Sequence, residues 1–360
     1  MNESLDRQIT VIIPVYNCLN YLEDAVKSVD SQSDGKVNII LVDDGSNDGS
    51  TELCDRFAKS YKNLFVIHKK NGGVSSARNV GIEYVIRHMP RSYIAFLDAD
   101  DAWNRNFYAD NVASLLEQNY DLVGFQSCEC DAKMRRRNEP CKLENGIFSG
   151  GIKSLWIHAT QSFAAMLYSC EFLKKYNIRF DEKIHYSEDK IFSMQALYLA
   201  SNIYLSNRLM YLYRKNVSSA MNSRQYGIGY FIPIIDAYIE SDKLMEKWKC
   251  NQRAELCEGT VLASIYIMDM IDEHFQHFGK RKEIEKILGQ KKEYLDILCG
   301  ATKCEKCIRP NERYLKYKKS PLRYSISNNI KGCILYSTKI FGSIPWVKAI
   351  INKYRYSIPI

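Results

Sequence analysis

The sequence predicts an α/β fold: a doubly wound, mostly parallel sheet over residues 1–220, followed by a helical region at 221–308 and a tail at 309–360. Three observations carry this. Short β-branched runs alternate with helical patterns through the first third of the chain. The first run, Ile9–Val15, is almost wholly apolar, as a strand covered on both faces must be. Each run ends in a turn rich in acidic residues, glycine or an aromatic residue.

Taken in order, strand Ile9–Val15 is followed by a helix at 19–31, whose Leu22, Val26 and Val29 share one side. A strand at 37–42 leads through the polar stretch Asn47 to Ser50 into helix Ser50–Ser60. Strand Leu64–His68 precedes a helix at 75–87, a strand at 93–97, a helix at 107–119 and a strand at 122–126. Residues 131–149, with the triplet Arg135-Arg136-Arg137, read as a polar excursion. Cys128 and Cys130 read as neighbours on one strand face. Helical patterning returns at 152–158, 169–176 and 188–199, and a strand-like run occupies 203–214. Beyond it the pattern is helical to about residue 298, with an apolar centre at 261–268.

Charge narrows the function classes. The chain of 360 residues carries +8, but from Arg309 onward eleven Lys and Arg face one acid, Glu312, so that stretch carries +10 and residues 1–308 carry −2. The basic character belongs to the tail, and a nucleic-acid partner for the body loses its main support. Twelve cysteines are scattered, and Met1 to Gln8 is polar with no apolar run, which predicts reduced thiols in a cytosol. Cys304-x-x-Cys307, with Cys299 nearby, lacks a second ligand pair at zinc-site spacing. No segment reaches the roughly 18 apolar residues of a membrane span.

Sheets of this class bind ligands beyond the carboxyl ends of their strands. The turns there are Pro14-Val15-Tyr16-Asn17, Asp43-Asp44-Gly45-Ser46, Asn71-Gly72-Gly73 and Asp98-Ala99-Asp100-Asp101. Carboxylates crowded at a strand end repel one another unless a cation lies between them, and a hard divalent ion with oxygen ligands suits Asp98 and Asp100. The bland reading is that these acids cap the next helix. No G-x-G-x-x-G follows any strand, so a dinucleotide cofactor is not predicted, and the Walker lysine motif is absent.

Together these turns resemble the family-2 glycosyltransferases, inverting enzymes of the A-type nucleotide-sugar transferase (GT-A) fold. The resemblance rests on Thr10 to Asn17, Val42 to Ser46, Asn71 to Asn79 with Gly81, and Phe96 to Asp101. Glu188-Asp189, followed by Ile191-Phe192, extends it to about residue 215. It implies that Pro14 to Tyr16 floor a nucleotide pocket and that Asp44 reads the base, typically uracil, with Asp43 as a helper. It implies that Asn71 to Asn79 lie along the diphosphate and sugar, with Arg78 and Asn79 touching the donor or fixing the loop. Asp98 would contact the ribose or donor sugar, Asp100 would hold Mg²⁺ or Mn²⁺, and Asp189 would be the general base. Arg214, after Tyr213, would help hold the diphosphate or pair with an acid of the sheet.

The function expected from this resemblance is transfer of a hexosyl residue from a nucleotide sugar, UDP-linked by that resemblance, to a saccharide or lipid-linked saccharide in surface-polysaccharide assembly. A sugar-1-phosphate nucleotidyltransferase would need a basic Gly-rich loop after the first strand, which Pro14 to Asn17 do not supply. A non-catalytic nucleotide-sugar-binding subunit would not need Asp98, Asp100 and Asp189 together. The tail mixes cations with Tyr314, Tyr317, Phe341 and Trp346, a composition suited to peripheral docking on an anionic inner membrane surface. A solvated helix pair packed on the body is the alternative.

Overall fold

A computed structural model describes residues 7–32, 37–105, 107–108, 112–137, 145–150, 162–185 and 188–215, with isolated helical positions at 236, 240, 243 and 244. These fall in the first of two units, Met1–Cys250 and Asn251–Ile360. The expected helix at 152–158, the helical region beyond 244, the cysteines at 299, 304 and 307, and the tail lie outside the described residues.

The described strands are β1 Ile9–Val15, β2 Val37–Asp43, β3 Leu64–His68, β4 Tyr93–Phe96, β5 Ala102–Trp103, β6 Leu122–Cys130, β7 Gly146–Phe148, β8 Met166–Ser169 and β9 Ile203–Arg214. The helices are α1 Leu22–Asp30, α2 Ser50–Ser60, α3 Val74–His88, α4 Val112–Leu116, α5 Cys170–Lys175 and α6 Glu188–Leu199. The sheet order is β3-β2-β1-β4-β8-β6-β9-β5, with β7 paired to β9.

The parallel character is confined to part of the sheet. β1 runs parallel to β2 and β4, β2 to β3, and β6 to β9; β4–β8, β6–β8, β5–β9 and β7–β9 are antiparallel. The mostly parallel reading therefore holds for β1 to β4 and gives way to a mixed sheet beyond. Met166–Ser169, where no strand is expected, is a strand wedged between β4 and β6, and the expected helix at 169–176 follows it as α5 with Ser169 as its N-cap. Gly146–Phe148, expected within a polar excursion, is a sheet edge. Runs of three or four residues are too short for periodicity to declare, and their pairing comes from neighbours distant in sequence.

Order places the site. The chain steps outward from β1 through β2 to β3, then crosses back to lay β4 on the other side of β1. This reversal leaves the carboxyl ends of β1 and β4 flanking a crevice. β1 is buried along nearly its whole length, as its apolar sequence requires. Gly81 of α3 lies against it so closely that a Cβ there would stand 2.5 Å from Ile12 Cγ2. Beneath the crevice Phe96 meets Phe163, Tyr168, Phe180 and Phe192 at centroid separations of 5.2–5.9 Å. Phe180 and Phe192 stack at 4.0 Å. These rings seat α6 against the strand that carries Asp98.

Candidate active site

The β2 turn is built around two buried carboxylates. Asp43 accepts from the Ser46 amide (3.0 Å), Thr51 Oγ1 (2.7 Å) and His68 Nδ1 (3.0 Å). Burial alone would raise its pKa, but these donors outweigh burial and hold it below the usual carboxylate value. Asp44 accepts from Lys69 Nζ and the Gly72 amide on Oδ1, and from the Gly73 amide on Oδ2, at 2.5, 2.9 and 2.8 Å. Gly45 follows at φ +78°, a left-handed conformation open to glycine, and a Cβ would stand 3.2 Å from the Asn71 amide nitrogen. Asp44 therefore ties the β2 turn to the Asn71-Gly72-Gly73 turn, and Asn71 is exposed beside it.

The β1 turn is laced to the same structure. Asn17, at φ 49°, accepts from the Asn47 amide (2.9 Å) and donates its own N–H to Ser46 Oγ (3.1 Å). Pro14 is half-buried and Tyr16 is exposed at the rim.

Arg78 is 3% exposed. It donates from Nη2 to Asp98 (2.8 Å) and from Nη1 to Glu188 (2.9 Å), with its guanidinium carbon 4.8 and 5.1 Å from the Phe163 and Phe180 ring centroids. Burial opposes its charge, yet the carboxylates of Asp98, Glu188 and Asp189 more than compensate and raise its pKa. The Asn79 side chain donates to the Phe180 carbonyl and accepts from the Phe180 amide, both at 2.9 Å. Arg78 and Asn79 thus tie α3 to Asp98, to Glu188 and to the Phe180 backbone.

Asp98, Asp100 and Asp101 divide their tasks. Asp101 is 1% exposed; it accepts from Tyr211 Oη (2.5 Å) and the Arg214 amide (2.7 Å). Burial and the charges of Asp98 and Asp100 push its pKa up to about 8. The Tyr211 hydroxyl also accepts from the Asp98 amide (3.4 Å), so one side chain braces both ends of the turn. Arg214 donates to the carbonyls of Asp100 (2.7 Å) and Ala132 (2.9 Å) and to Asp24 (3.0 Å). Its acidic partner lies on α1, not in the sheet.

Asp100 has no ion pair among the described residues, and burial beside Asp98 raises its carboxyl pKa, with Arg214 acting in the opposite sense. No group of three or more His, Cys, Asp or Glu among the described residues forms a ready metal cage. The Asp98–Asp100 pair nonetheless fits a hard divalent cation: Asp98 Oδ2 is not taken by Arg78, Asp100 has no ion pair among the described residues, and two carboxylates leave further positions for substrate oxygens and water.

The pair on α6 is also differentiated. Glu188, with its side chain 12% exposed, is held by Arg78; burial raises its pKa first, Asp189 adds to the rise, and Arg78 opposes it. Asp189 accepts the Lys190 amide (2.8 Å) and is paired with no cation among the described residues. His185 is exposed.

Lys69, His68, Tyr211 and Asp101's bracing role escape sequence reasoning. The signal for the first two lay in register: parallel β2 and β3 align Asp43 with His68, so successive cations meet successive acids.

A mixed sheet whose β1 to β4 half is parallel, with acidic strand ends at the switch point and an acidic helix start, has the arrangement of a GT-A glycosyltransferase fold. Residues 10–176 match the model for Glycosyl transferase family 2, and this segment of the chain is similar to that family. Among curated proteins it is similar to the uncharacterized glycosyltransferase EpsJ of Bacillus subtilis (strain 168), 31% identical over 220 residues, 59% of this chain and 62% of EpsJ. It is also similar to the minor teichoic acid biosynthesis protein GgaB of the same organism, 32% identical over 247 residues, 64% of this chain and 26% of GgaB. The chain thus spans less than two thirds of either relative. Among solved structures, S. aureus TarS 1–349 in complex with UDP-GlcNAc shares the fold, with a TM-score of 0.58 at 21% identity, covering 81% of this chain and 79% of that one.

Proposed function

We propose that the chain is a metal-assisted, inverting glycosyltransferase that moves a hexosyl residue from a UDP-sugar to a saccharide or lipid-linked saccharide acceptor. The observation that carries this reading is the Asp98–Arg78–Glu188 bridge, which joins the strand end suited to a diphosphate to the helix that presents Asp189. The domain boundaries we adopt are 1–220 for the transferase body, 221–308 for a helical region and 309–360 for a basic tail that docks on an anionic membrane.

In this reading Pro14 and Tyr16 floor the nucleotide pocket, and Asp44 meets the base with Asp43 supporting its turn. Asn71 lines the donor, and Arg78 and Arg214 act through the acids and backbone they hold. Asp98 and Asp100 would hold Mg²⁺ or Mn²⁺, which would supply Lewis acidity at the departing diphosphate. Asp189, paired with no cation among the described residues, takes the acceptor hydroxyl proton as that oxygen bonds to the anomeric carbon. The bond from that carbon to the nucleoside diphosphate breaks, and its electron pair leaves with the diphosphate. Glu188, paired through Oε1 with Arg78, acts in this reading to hold α6 against the Asp98 turn.

A nucleotide-sugar panel, assayed for metal-dependent binding and slow hydrolysis, tests the reading. Asp100→Ala and Asp189→Asn are expected to lose turnover by roughly 10²-fold or more. Turnover intact in Asp100→Ala, or no donor bound, overturns it.

A further inference from the structure

The arginine triplet at 135–137 has no part in the chemistry above, yet the fold presents it on the same edge as the site. At the carboxyl end of β6 the chain turns in a pinned hairpin. Asp131 Oδ1 accepts from the amides of Lys133 (2.9 Å) and Arg135 (3.0 Å), and the Asp131 amide donates to the Arg135 carbonyl (2.9 Å). Cys130 bridges Arg136, and the Arg137 amide donates to the Glu129 carbonyl (2.8 Å).

Four exposed cations result, Lys133, Arg135, Arg136 and Arg137. Arg135 is paired with Asp131 (2.7 Å), while Lys133, Arg136 and Arg137 have no acidic partner among the described residues. Like charges gathered on a rigid turn repel, an arrangement that an anionic ligand relieves.

Placement selects the ligand. Arg214 reaches the Ala132 carbonyl with Nη1 and the Asp100 carbonyl with Nε, so a single side chain spans from the hairpin to the acidic turn. The donor-suited turns belong to β1, β2, β3 and β4, whereas the hairpin leaves β6, beyond β8 on the opposite half of the sheet. In the transfer reading a donor seated over β1 to β4 leaves that half of the edge to the acceptor. A neutral saccharide would need no such cluster beside an acidic centre.

We infer that the 131–137 hairpin seats a phosphate ester carried by the acceptor. The inference deepens the transfer reading and rests on it. The phosphate could belong to a polyol-phosphate chain or to a prenyl diphosphate carrying the acceptor sugar.

Calorimetry on the full chain, with Lys133→Glu, Arg136→Glu and Arg137→Glu combined, separates the cases. The probes are UDP, a short glycerol-phosphate oligomer, and a prenyl-diphosphate-linked sugar in detergent micelles. The expected result is unchanged UDP affinity and a loss of roughly tenfold or more for whichever phosphate probe the unaltered protein binds, shrinking as salt is raised. Should the triple charge reversal fail to fold, the three Gln substitutions and the salt dependence of the unaltered protein give the same comparison. UDP binding with neither phosphate probe bound, or an equal loss for UDP, overturns the hairpin inference and leaves the transfer reading standing. Absence of binding by UDP and by UDP-sugars in the unaltered protein overturns the transfer reading and the inference with it.

Discussion

Replacing Arg78 with Met removes a cation that two carboxylates share in the interior. Breaking a buried pair by deleting one partner costs about 3–5 kcal/mol, because the remaining charge is stranded without water. The two acids share this unequally: Asp98, with its side chain 36% exposed, regains solvent, whereas Glu188 at 12% does not. The expected loss therefore sits near the lower end, about 3 kcal/mol at neutral pH, out of a total stability of roughly 5–15. The pH dependence follows from Glu188. Its pKa is already raised in the folded protein, so its contribution is fully present below the unfolded value and fades as pH rises through the folded one. Without Arg78 that rise grows, and the penalty of Arg78→Met should shrink on going from pH 7 to pH 5. Urea denaturation at both pH values, with Glu188→Gln added to close a double-mutant cycle, measures this. Glu188→Gln should restore at least about 1 kcal/mol to the Arg78→Met background at pH 7. A penalty below about 1 kcal/mol, or a cycle with no coupling, refutes the argument.

Other expectations follow from single contacts. Gly81→Ala should destabilise by about 1–3 kcal/mol in a thermal melt despite alanine's better helix propensity, because the added methyl drives into Ile12. His68 sits between Asp43 and Asp55, 3.0 and 3.1 Å from its two nitrogens, and its pKa is raised chiefly by the Asp43 hydrogen bond. Its contribution should be present below about pH 6.5 and lost as pH rises through the higher folded value. With the imidazole 42% exposed, the difference between the parent and His68→Asn should be under about 1 kcal/mol at pH 6 and smaller at pH 8.5 in chemical denaturation. Asp101→Asn should gain on the parent in metal-free protein as pH rises from 6 to 9, since the parent then buries a charge above its pKa of about 8. Asp44→Ala leaves the Gly72 and Gly73 amides and Lys69 without their acceptor; UDP binding by calorimetry should weaken at least tenfold.

The parallel strands were legible because each is long enough, and apolar enough, to announce itself: Ile9–Val15, Leu64–His68 and Ile203–Arg214 match the expected bounds. The short strands β5, β7 and β8 were not, since two to four residues carry no period. Helix 107–119 is described as Val112–Leu116, and helix 19–31 begins at Leu22. The acids at 98, 100, 188 and 189 could be named from sequence, but which of them Arg78 pairs with could not. Nothing in the Glu188-Asp189 dipeptide says that Arg78, 110 residues earlier, takes the first and leaves the second.

By itself the sequence determined the class of fold, the family resemblance and the edge on which chemistry must occur. Strand polarity follows from alternating elements, and ligands of such sheets meet the carboxyl ends. Tertiary structure alone decided which charged groups are paired with one another and which have no ion pair among the described residues. Pairing between charges depends on distance and burial, and both are set by chain crossings that bring β2 beside β3, α3 beside α6 and β9 beside the Asp98–Asp101 turn.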